Sequence, residues 1–217
     1  MPEQVTLVKQ TAYVARLPKE NMAAVRSICS GLDVKDGRGG IYLREIDGEA
    51  YLFIYSEDVA FFEAVEKYLG AGTDCPLPVA KRNGRLFEPM ERVFYEAGAV
   101  DRTPVGSVMR IAMFTELKPE KEKDYRLLHD NPWPDVIAAI QRANFRHFSI
   151  FLEEIDGRIC LFGWLEYVGA DIAADDAINK KDPASIRWWK ETDACQIAPP
   201  DASGGMWGGM EELVVFE

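Results

Sequence analysis

An internal repeat is the feature that most constrains the fold of this chain. The segment IYLREIDG at residues 41–48 recurs as IFLEEIDG at residues 150–157, with six of the eight letters identical. In each copy an Asp-Gly pair separates two apolar runs, which is typical of a β-hairpin. A repeat that spans about half of a chain indicates a duplicated domain.

The elements around the two hairpins follow one order, which is strand, helix, strand, strand, helix, strand. In the first half, alternation and helical spacing predict strands at residues 11–17, 41–45, 50–55 and 91–96, and helices at residues 18–32 and 57–69. In the second half they predict strands at residues 108–117, 150–157, 159–166 and 212–217, and helices at residues 119–144 and from Pro183. Residues 97–106 are a connector.

This element order predicts an α+β fold. Each half, residues 1–97 and residues 107–217, reads as one ferredoxin-like unit, and the two units follow each other in tandem. Helices cover only one face of such a sheet, so the other face needs a cover, and the sister half can supply it. We therefore expect the two units to pack sheet to sheet as an intramolecular dimeric α+β barrel.

The charge and hydrophobicity of the chain limit the kinds of partner that it can bind. The net charge of −11 argues against binding to nucleic acid or to an anionic membrane. No apolar run reaches the length of a membrane span, and the first residues lack the basic and apolar regions of a signal peptide. We therefore expect a cytoplasmic protein.

Cysteine and histidine are sparse. The cysteines are widely spaced, with no Cys-x-x-Cys pair, which favours reduced and mostly buried thiols: Cys29, Cys75, Cys160 and Cys195. With only His129 and His147 in the chain, a histidine-rich metal site is excluded. A site of one histidine with carboxylates stays open, although no pattern points to a metal.

The candidate chemistry lies on the helix predicted for residues 119–144. Tyr125 and His129 are four residues apart and share a helical face, and Trp133 continues the row. A phenol and an imidazole that can exchange protons, beside a flat indole, could hold a sugar. The alternative is a half-buried helix with a tolerated histidine. Pro132 and Pro134 must kink or break this helix.

The two halves are chemically unequal. All five tryptophans and both histidines lie in the second half. Where the second half has Tyr125 and His129, the first has Val25 or its neighbour and Ile28 or Cys29. If the chain has a site, the second half carries it.

Further tryptophans follow the second hairpin. Asp182 can cap a helix that begins at Pro183 and carries Trp188 and Trp189. Adjacent helical residues point about 100° apart, so one indole could pack while the other lines a cavity. Trp207, between glycine pairs, either covers a cavity or pins a surface loop.

Three motifs in this order resemble the L-rhamnose mutarotase family over residues 108–217: Tyr125-x-x-x-His129-x-x-Pro132-Trp133-Pro134, the hairpin, and Asp182-x-x-x-x-Arg187-Trp188-Trp189-Lys190. The resemblance implies a ferredoxin-like fold, dimers formed through sheet packing, and interconversion of the anomers of a deoxysugar without a cofactor. It also implies His129 as proton donor, with Tyr125 and the Trp188-Trp189 pair binding sugar. Phe148 departs from the family, which has a substrate-binding tyrosine there, and so does the tandem arrangement.

The hypothesis is therefore a cofactor-independent mutarotase for a rhamnose-like deoxyaldose, acting by acid and base ring opening. A histidine that titrates near neutrality suits the acid role, and the base is left open between Asp130, Tyr125 and water. The substrate-binding candidates are Tyr125, Trp133, Phe148, Trp188 and Trp189. The alternatives are a non-catalytic sugar-binding or sensing protein, and an oxygenase or haem enzyme on the same barrel. Assembly beyond the internal pseudo-dimer is left open.

Overall fold

The chain divides into two units, in a computed structural model that describes residues 10–31, 38–57, 65 and 87–216. Unit 1 comprises Met1–Met90 and Glu211–Glu217, and unit 2 comprises Glu91–Met210. Each unit has its own antiparallel sheet. The prediction of an α+β fold built on antiparallel sheets is confirmed. Sheet-to-sheet packing of two ferredoxin-like repeats stays a prediction.

The described residues form eleven strands and five α-helices. The strands are β1 (Thr11–Leu17), β2 (Gly39–Ile46), β3 (Glu49–Ser56), β4 (Glu88–Pro89), β5 (Glu91–Gly98), β6 (Met109–Leu117), β7 (Phe145–Ile155), β8 (Arg158–Tyr167), β9 (Gln196–Ile197), β10 (Gly208–Gly209) and β11 (Glu211–Phe216). The helices are α1 (Met22–Ser30), α2 (Glu122–Asp130), α3 (Pro134–Arg142), α4 (Ile172–Asn179) and α5 (Pro183–Cys195). Among these residues no helix is long and apolar enough to cross a membrane.

Both predicted hairpins are present, as β2–β3 in unit 1 and β7–β8 in unit 2. The two turns have the same backbone geometry, because Asp47 and Gly48 have φ of 50° and 80° and Asp156 and Gly157 have φ of 51° and 76°. Positive φ at both turn positions twists the chain in the same sense as the flanking strands, and Asp-Gly adopts it readily. The repeated letters therefore encode a repeated turn.

Unit 1 is a five-stranded sheet in the order β11-β2-β3-β1-β4. Its core includes Val25 and Cys29 of α1, which pack against Leu17, Ile41 and other buried side chains of the sheet. The helix predicted at residues 57–69 and the following loop lie outside the described residues, apart from Glu57 and the buried, helical Val65. The described cysteines, Cys29, Cys160 and Cys195, are free and buried, as expected.

Unit 2 has the sheet order β10-β6-β8-β7-β5, with β9 also paired to β6. The helix predicted at residues 119–144 is broken, as its prolines require. α2 ends at Asp130 and α3 begins with Pro134 at its first position. Proline has no backbone N–H to donate, so a helix accommodates it well only in the first turn. Trp133 therefore precedes α3 instead of continuing the face of α2, and the expected three-residue row on one helix is wrong.

The last strand predicted for each half pairs in the sheet of the other unit. Residues 91–96 were predicted to close the first half, but β5 pairs with β7 in unit 2. Residues 212–217 were predicted to close the second half, but β11 pairs with β2 in unit 1. The short strands that precede β5 and β11 still pair in the expected sheets. β4 pairs with β1 in unit 1, and β10 pairs with β6 in unit 2. Alternation identifies a strand but does not name its partner.

The central strands of unit 2 are tied together by a buried charge. Glu166 on β8 is fully buried and stands opposite Arg110 on β6 and Arg146 on β7. Its carboxylate lies 2.6 Å from Nε of Arg146 and 3.3 Å from Nε of Arg110. A buried charge is tolerated only where such partners are in place, so this cluster disfavours a shifted strand register.

The pairing of β11 with β2 predicts that truncation of Phe216 destabilises unit 1. Phe216 is 4% exposed and belongs to the core of unit 1. Phe216→Ala should cost about 3–5 kcal/mol in that core. Amide hydrogen exchange should speed up in β2 and β3 and leave β7 unchanged. Glu212→Ala, at an exposed position of the same strand, is the control. Loss of protection in β7 alone would contradict the assignment of β11 to unit 1.

Candidate active site

Unit 2 contains a cavity of about 480 Å³ between one face of its sheet and helices α2, α3 and α5. Five of the six predicted site residues line it: Tyr125, His129, Phe148, Trp188 and Trp189. Most of the wall is apolar, and the polar side chains come mainly from α4 and α5. A cavity of this size and character is typical of a small-molecule site.

His129 is held in one orientation by its own helix. Its Nδ1 lies 2.9 Å from the carbonyl oxygen of Tyr125, four residues earlier. A carbonyl only accepts hydrogen bonds, so Nδ1 carries the proton and Nε2 of the neutral ring has a free lone pair. Nε2 has no hydrogen-bond partner among the described residues. The imidazole can therefore accept a proton from a molecule in the cavity.

Aromatic rings surround this imidazole. The ring centroid of Tyr125 lies 4.1 Å away, and those of Phe94 and Trp188 each lie 5.3 Å away. This burial lowers the pKa of His129 from 6.5 to about 4, although the Tyr125 carbonyl and the charge of Asp130 raise it. The expectation that His129 titrates near neutrality is corrected here. At neutral pH the ring is uncharged and is a proton acceptor in its resting state.

Two of the three candidates for the base are weakened. Tyr125 is 1% exposed, and burial raises the pKa of its phenol far above the ordinary value. It therefore stays neutral and can donate a hydrogen bond, but it is unsuited to act as a phenolate base. Asp130 is exposed at the end of α2 and is not part of the cavity wall. His129 is better placed than either to take a proton.

The paired indoles differ in burial, as the helical geometry suggested, although both line the cavity. Trp188 is 8% exposed and belongs to a core cluster with Val136 and Ala184, while Trp189 is half-buried against it. Trp133 lies 5.4 Å from Trp188, ring centre to ring centre, and does not line the cavity. Its position behind Trp188 makes it a support for the wall and argues against direct contact with substrate.

A bulge in β7 brings two phenylalanines to the cavity. Arg146 pairs with Glu166 and Ser149 with Trp164, so β7 carries one extra residue between these pairs. His147 has a φ of 52° at this point. Phe145 and Phe148 are three residues apart and would face opposite sides of a regular strand, yet both line the cavity. The bulge thus makes this wall more apolar.

Sequence reasoning missed Phe94 because β5 was assigned to the other half. Phe94 lines the cavity, with ring centroids 5.3 Å from His129 and 5.5 Å from Phe148. Both ring pairs are near perpendicular, which favours aromatic contacts. Only the observed strand pairing reveals this residue, since its local sequence carries no sign of a site.

Helix α5 positions the polar part of the wall. Its N-terminus is fixed as predicted, because the Asp182 carboxylate accepts hydrogen bonds from the backbone N–H groups of Ala184 and Ser185, at 2.9 and 3.1 Å. Thr192, Asp193 and Gln196, near its other end, line the cavity and were not anticipated. Partial burial raises the pKa of Asp193. Among the described residues, no three His, Cys, Asp or Glu side chains are grouped closely enough to hold a metal ion.

The glycine-rich loop also contributes. Ser203 to Trp207 line the cavity, and the Trp207 indole packs against the core cluster that contains Tyr125. At Gly163 on β8, a Cβ would lie 2.9 Å from Cγ of Met113 and 3.4 Å from Cζ3 of Trp207. Only glycine leaves room for both side chains there. Of the two readings of Trp207, the structure favours a residue that covers the cavity.

Comparisons with known proteins place the similarity in the second half of the chain. The family model described as L-rhamnose mutarotase matches residues 110–216. The L-rhamnose mutarotase of Acidiphilium cryptum is 33% identical over 94 residues, which cover 43% of this chain and 86% of that protein. The L-rhamnose mutarotase of Pectobacterium atrosepticum is 29% identical over 96 residues, covering 44% of this chain and 88% of that protein.

Solved structures resemble nearly the whole chain in fold. A protein from Lactobacillus acidophilus named as a monooxygenase has a TM-score of 0.52 at 8% identity, and the match covers 96% of each chain. A protein from Fusobacterium nucleatum, also named as a monooxygenase, has a TM-score of 0.50 at 13% identity, covering 95% of this chain and 92% of that one. At such identities the likeness extends to the fold alone.

The protonation of His129 can be measured directly. In the His147→Asn variant only one histidine remains, and Asn tolerates the positive φ at that position. NMR of the ring should show titration near pH 4, because the buried ring resists charge. Protonation then favours the unfolded chain, so stability is full above pH 6.5 and falls by roughly 3 kcal/mol as the pH drops through 4. Titration near pH 6.5 would contradict the burial argument.

The indoles should respond differently to truncation. Trp188→Ala should lower the free energy of unfolding by about 3–5 kcal/mol, because it removes a core side chain. Trp189→Ala should leave stability closer to that of the parent and weaken sugar binding, because its indole is only half-buried. Thermal unfolding and saturation-transfer NMR with a panel of aldoses measure the two effects. Unchanged sugar affinity in both variants would remove these residues from the site.

Proposed function

This chain belongs to the L-rhamnose mutarotase family and is an isomerase, and we propose that unit 2 interconverts the anomers of a rhamnose-like deoxyaldose without a cofactor. One observation carries the proposal. A neutral imidazole, fixed through Nδ1, presents a free Nε2 in a cavity walled by indoles. Aromatic rings suit the C–H faces of a pyranose, and the imidazole suits the proton transfers that open its ring.

The substrate assignment follows from the character of the wall. Trp188 and Trp189 offer flat apolar surfaces, and Phe145 and Phe148 extend the apolar area. A methyl group at the end of a deoxyaldose would lose little hydration by packing there, whereas a hydroxymethyl group would need a hydrogen-bond partner. Phe148 lacks the hydroxyl that the family's tyrosine would offer, so the pocket is expected to prefer the less polar aldoses.

The proposed reaction needs only proton transfers. His129 takes the proton of the anomeric hydroxyl on Nε2 while the bond between C1 and the ring oxygen breaks. The resulting imidazolium gives that proton to the former ring oxygen, which leaves C1 as an alkoxide and is within reach of Nε2 because it was bonded to the same carbon as the anomeric hydroxyl. The open-chain aldehyde then rotates about the bond between C1 and C2, and the same steps in reverse close the ring on the other face. Protons balance at every stage.

Burial makes His129 suited to both steps. Its pKa of about 4 leaves the ring neutral before reaction, and the imidazolium that forms is a stronger acid than an exposed one. Tyr125, kept neutral by burial, can donate a hydrogen bond to a sugar oxygen. The proton-donor role implied by the family resemblance thus becomes the second half of a shuttle whose first half is proton acceptance.

Replacing His129 tests the proposal. His129→Asn keeps a polar side chain of similar size, so sugar should still bind while anomer exchange slows by about 10²–10⁴-fold. Exchange can be followed by magnetisation transfer between the C1 protons of the two anomers. In the parent, exchange should be level near neutral pH and fall as the pH approaches 4, where the imidazole is charged.

His147→Asn is the matched control, because it makes the same change at a histidine outside the cavity wall. It should leave both binding and exchange unchanged. Full exchange in the His129→Asn protein would exclude the mechanism. If the parent binds sugar and catalyses no exchange, the sugar-sensing hypothesis replaces the enzymatic one.

A further inference from the structure

Gln196 is a buried polar residue that the proposed reaction does not use. It follows α5, pairs with Leu117 of β6 through its backbone, and lines the cavity. The residue is only 3% exposed, and its Oε1 is sealed from solvent without a hydrogen-bond donor among the described residues. Buried amides without partners are rare because each forfeits its hydrogen bonds with water.

Nothing in the surrounding wall requires an amide. The wall also contains the largely apolar residues Met113, Tyr125 and Trp207, and an aliphatic side chain of the same length would fill the place of Gln196 without an unsatisfied oxygen. The nearby hydroxyl of Thr192 is already used, since it donates to the backbone oxygen of Trp188 at 3.2 Å. The amide therefore has no partner among the described residues, and a rotation of the side chain that turns Oε1 towards the cavity lets a ligand supply one.

Asp193, three residues earlier, adds a second acceptor to the same wall. Asp193 is an exposed residue that lines the cavity, and its carboxylate makes no hydrogen bond or ion pair with the described residues. Its neighbour on the helix face, Trp189, offers an apolar surface. Two acceptors beside an aromatic plane suit a molecule that presents hydroxyl groups at its edge and C–H groups on its face.

We propose that Gln196 and Asp193 form a subsite that binds two neighbouring hydroxyl groups of the aldose, away from the anomeric carbon that His129 serves. This rests on the proposed function and adds specificity to it. Phe148 on β7 has no hydroxyl group with which to bind sugar. In this proposal, the residues at the end of α5 bind the hydroxyl groups of the sugar instead. Aldoses that keep this pair of hydroxyls bind, and analogues that lack one of them bind more weakly.

Gln196→Met tests the subsite because methionine has similar length and no amide. Sugar affinity, measured by saturation-transfer NMR with L-rhamnose, should fall about tenfold, which is the effect of losing one well-placed hydrogen bond. The melting temperature without sugar should stay the same or rise, because an unsatisfied buried amide has been removed. Gln141→Met makes the same change at an exposed position of α3, outside the cavity wall, and should alter neither quantity.

The 2-, 3- and 4-deoxy analogues of L-rhamnose identify the hydroxyl. The analogue that lacks the bound group should bind the parent about tenfold more weakly than L-rhamnose does, and should bind Gln196→Met no more weakly than L-rhamnose does. Asp193→Ala, at an exposed position, should weaken sugar binding. It should also remove the affinity difference between L-rhamnose and the analogue that lacks the hydroxyl next to the one bound by Gln196. If Gln196→Met proves unstable, Asp193→Ala still tests the pair.

Two results would overturn the subsite. One is unchanged L-rhamnose affinity in Gln196→Met, and the other is an equal loss of affinity for every deoxy analogue in both variants. These outcomes are separate from the fate of the catalytic proposal. Binding that depends on Gln196 without anomer exchange in the parent would support the subsite and reject the mutarotase mechanism. If Gln196→Met still catalyses anomer exchange and its sugar affinity is unchanged, the mutarotase mechanism is supported and the subsite is rejected.

Discussion

The site depends on one hydrogen bond, from Nδ1 of His129 to the carbonyl oxygen of Tyr125. It settles which ring nitrogen carries the proton, and it fixes the ring plane against α2. Because both residues lie on one helix, the bond needs no tertiary contact to form. Tertiary packing then supplies the aromatic enclosure that keeps the ring uncharged. Local geometry thus orients the group, and burial by distant residues sets its acidity.

The same helical frame in unit 1 shows what makes the difference. Val25 and Cys29 of α1 are buried four residues apart, like Tyr125 and His129 of α2, and a short 3₁₀ turn precedes each helix. The sequence had left open which residues of the first half correspond. With apolar and thiol side chains at these positions, α1 contributes to a core. The side chains at two equivalent helical positions therefore distinguish a helix that only packs in a core from one that lines the candidate site.

Local chemistry made much of the molecule predictable. The Asp-Gly turns, the cap at Asp182 and the break at Pro132 and Pro134 were all read from neighbouring letters, and each is present. The lowered pKa of His129 was not predictable, because it depends on rings that are distant in sequence. Gln196 escaped for a similar reason, since a polar residue at a helix end ordinarily faces water. Strand pairing at β5 and β11 has no local signal at all.

The pairing of β11 with β2 has a consequence for synthesis. During translation the first ninety residues emerge long before Glu211–Phe216, and the β2 edge of the unit 1 sheet lacks its partner in that interval. A bare strand edge can recruit other chains, and closing a loop of this length slows folding. The nascent chain should therefore need shielding at that edge until Glu211–Phe216 have been synthesised and can pair with β2, although the candidate site lies in the other unit.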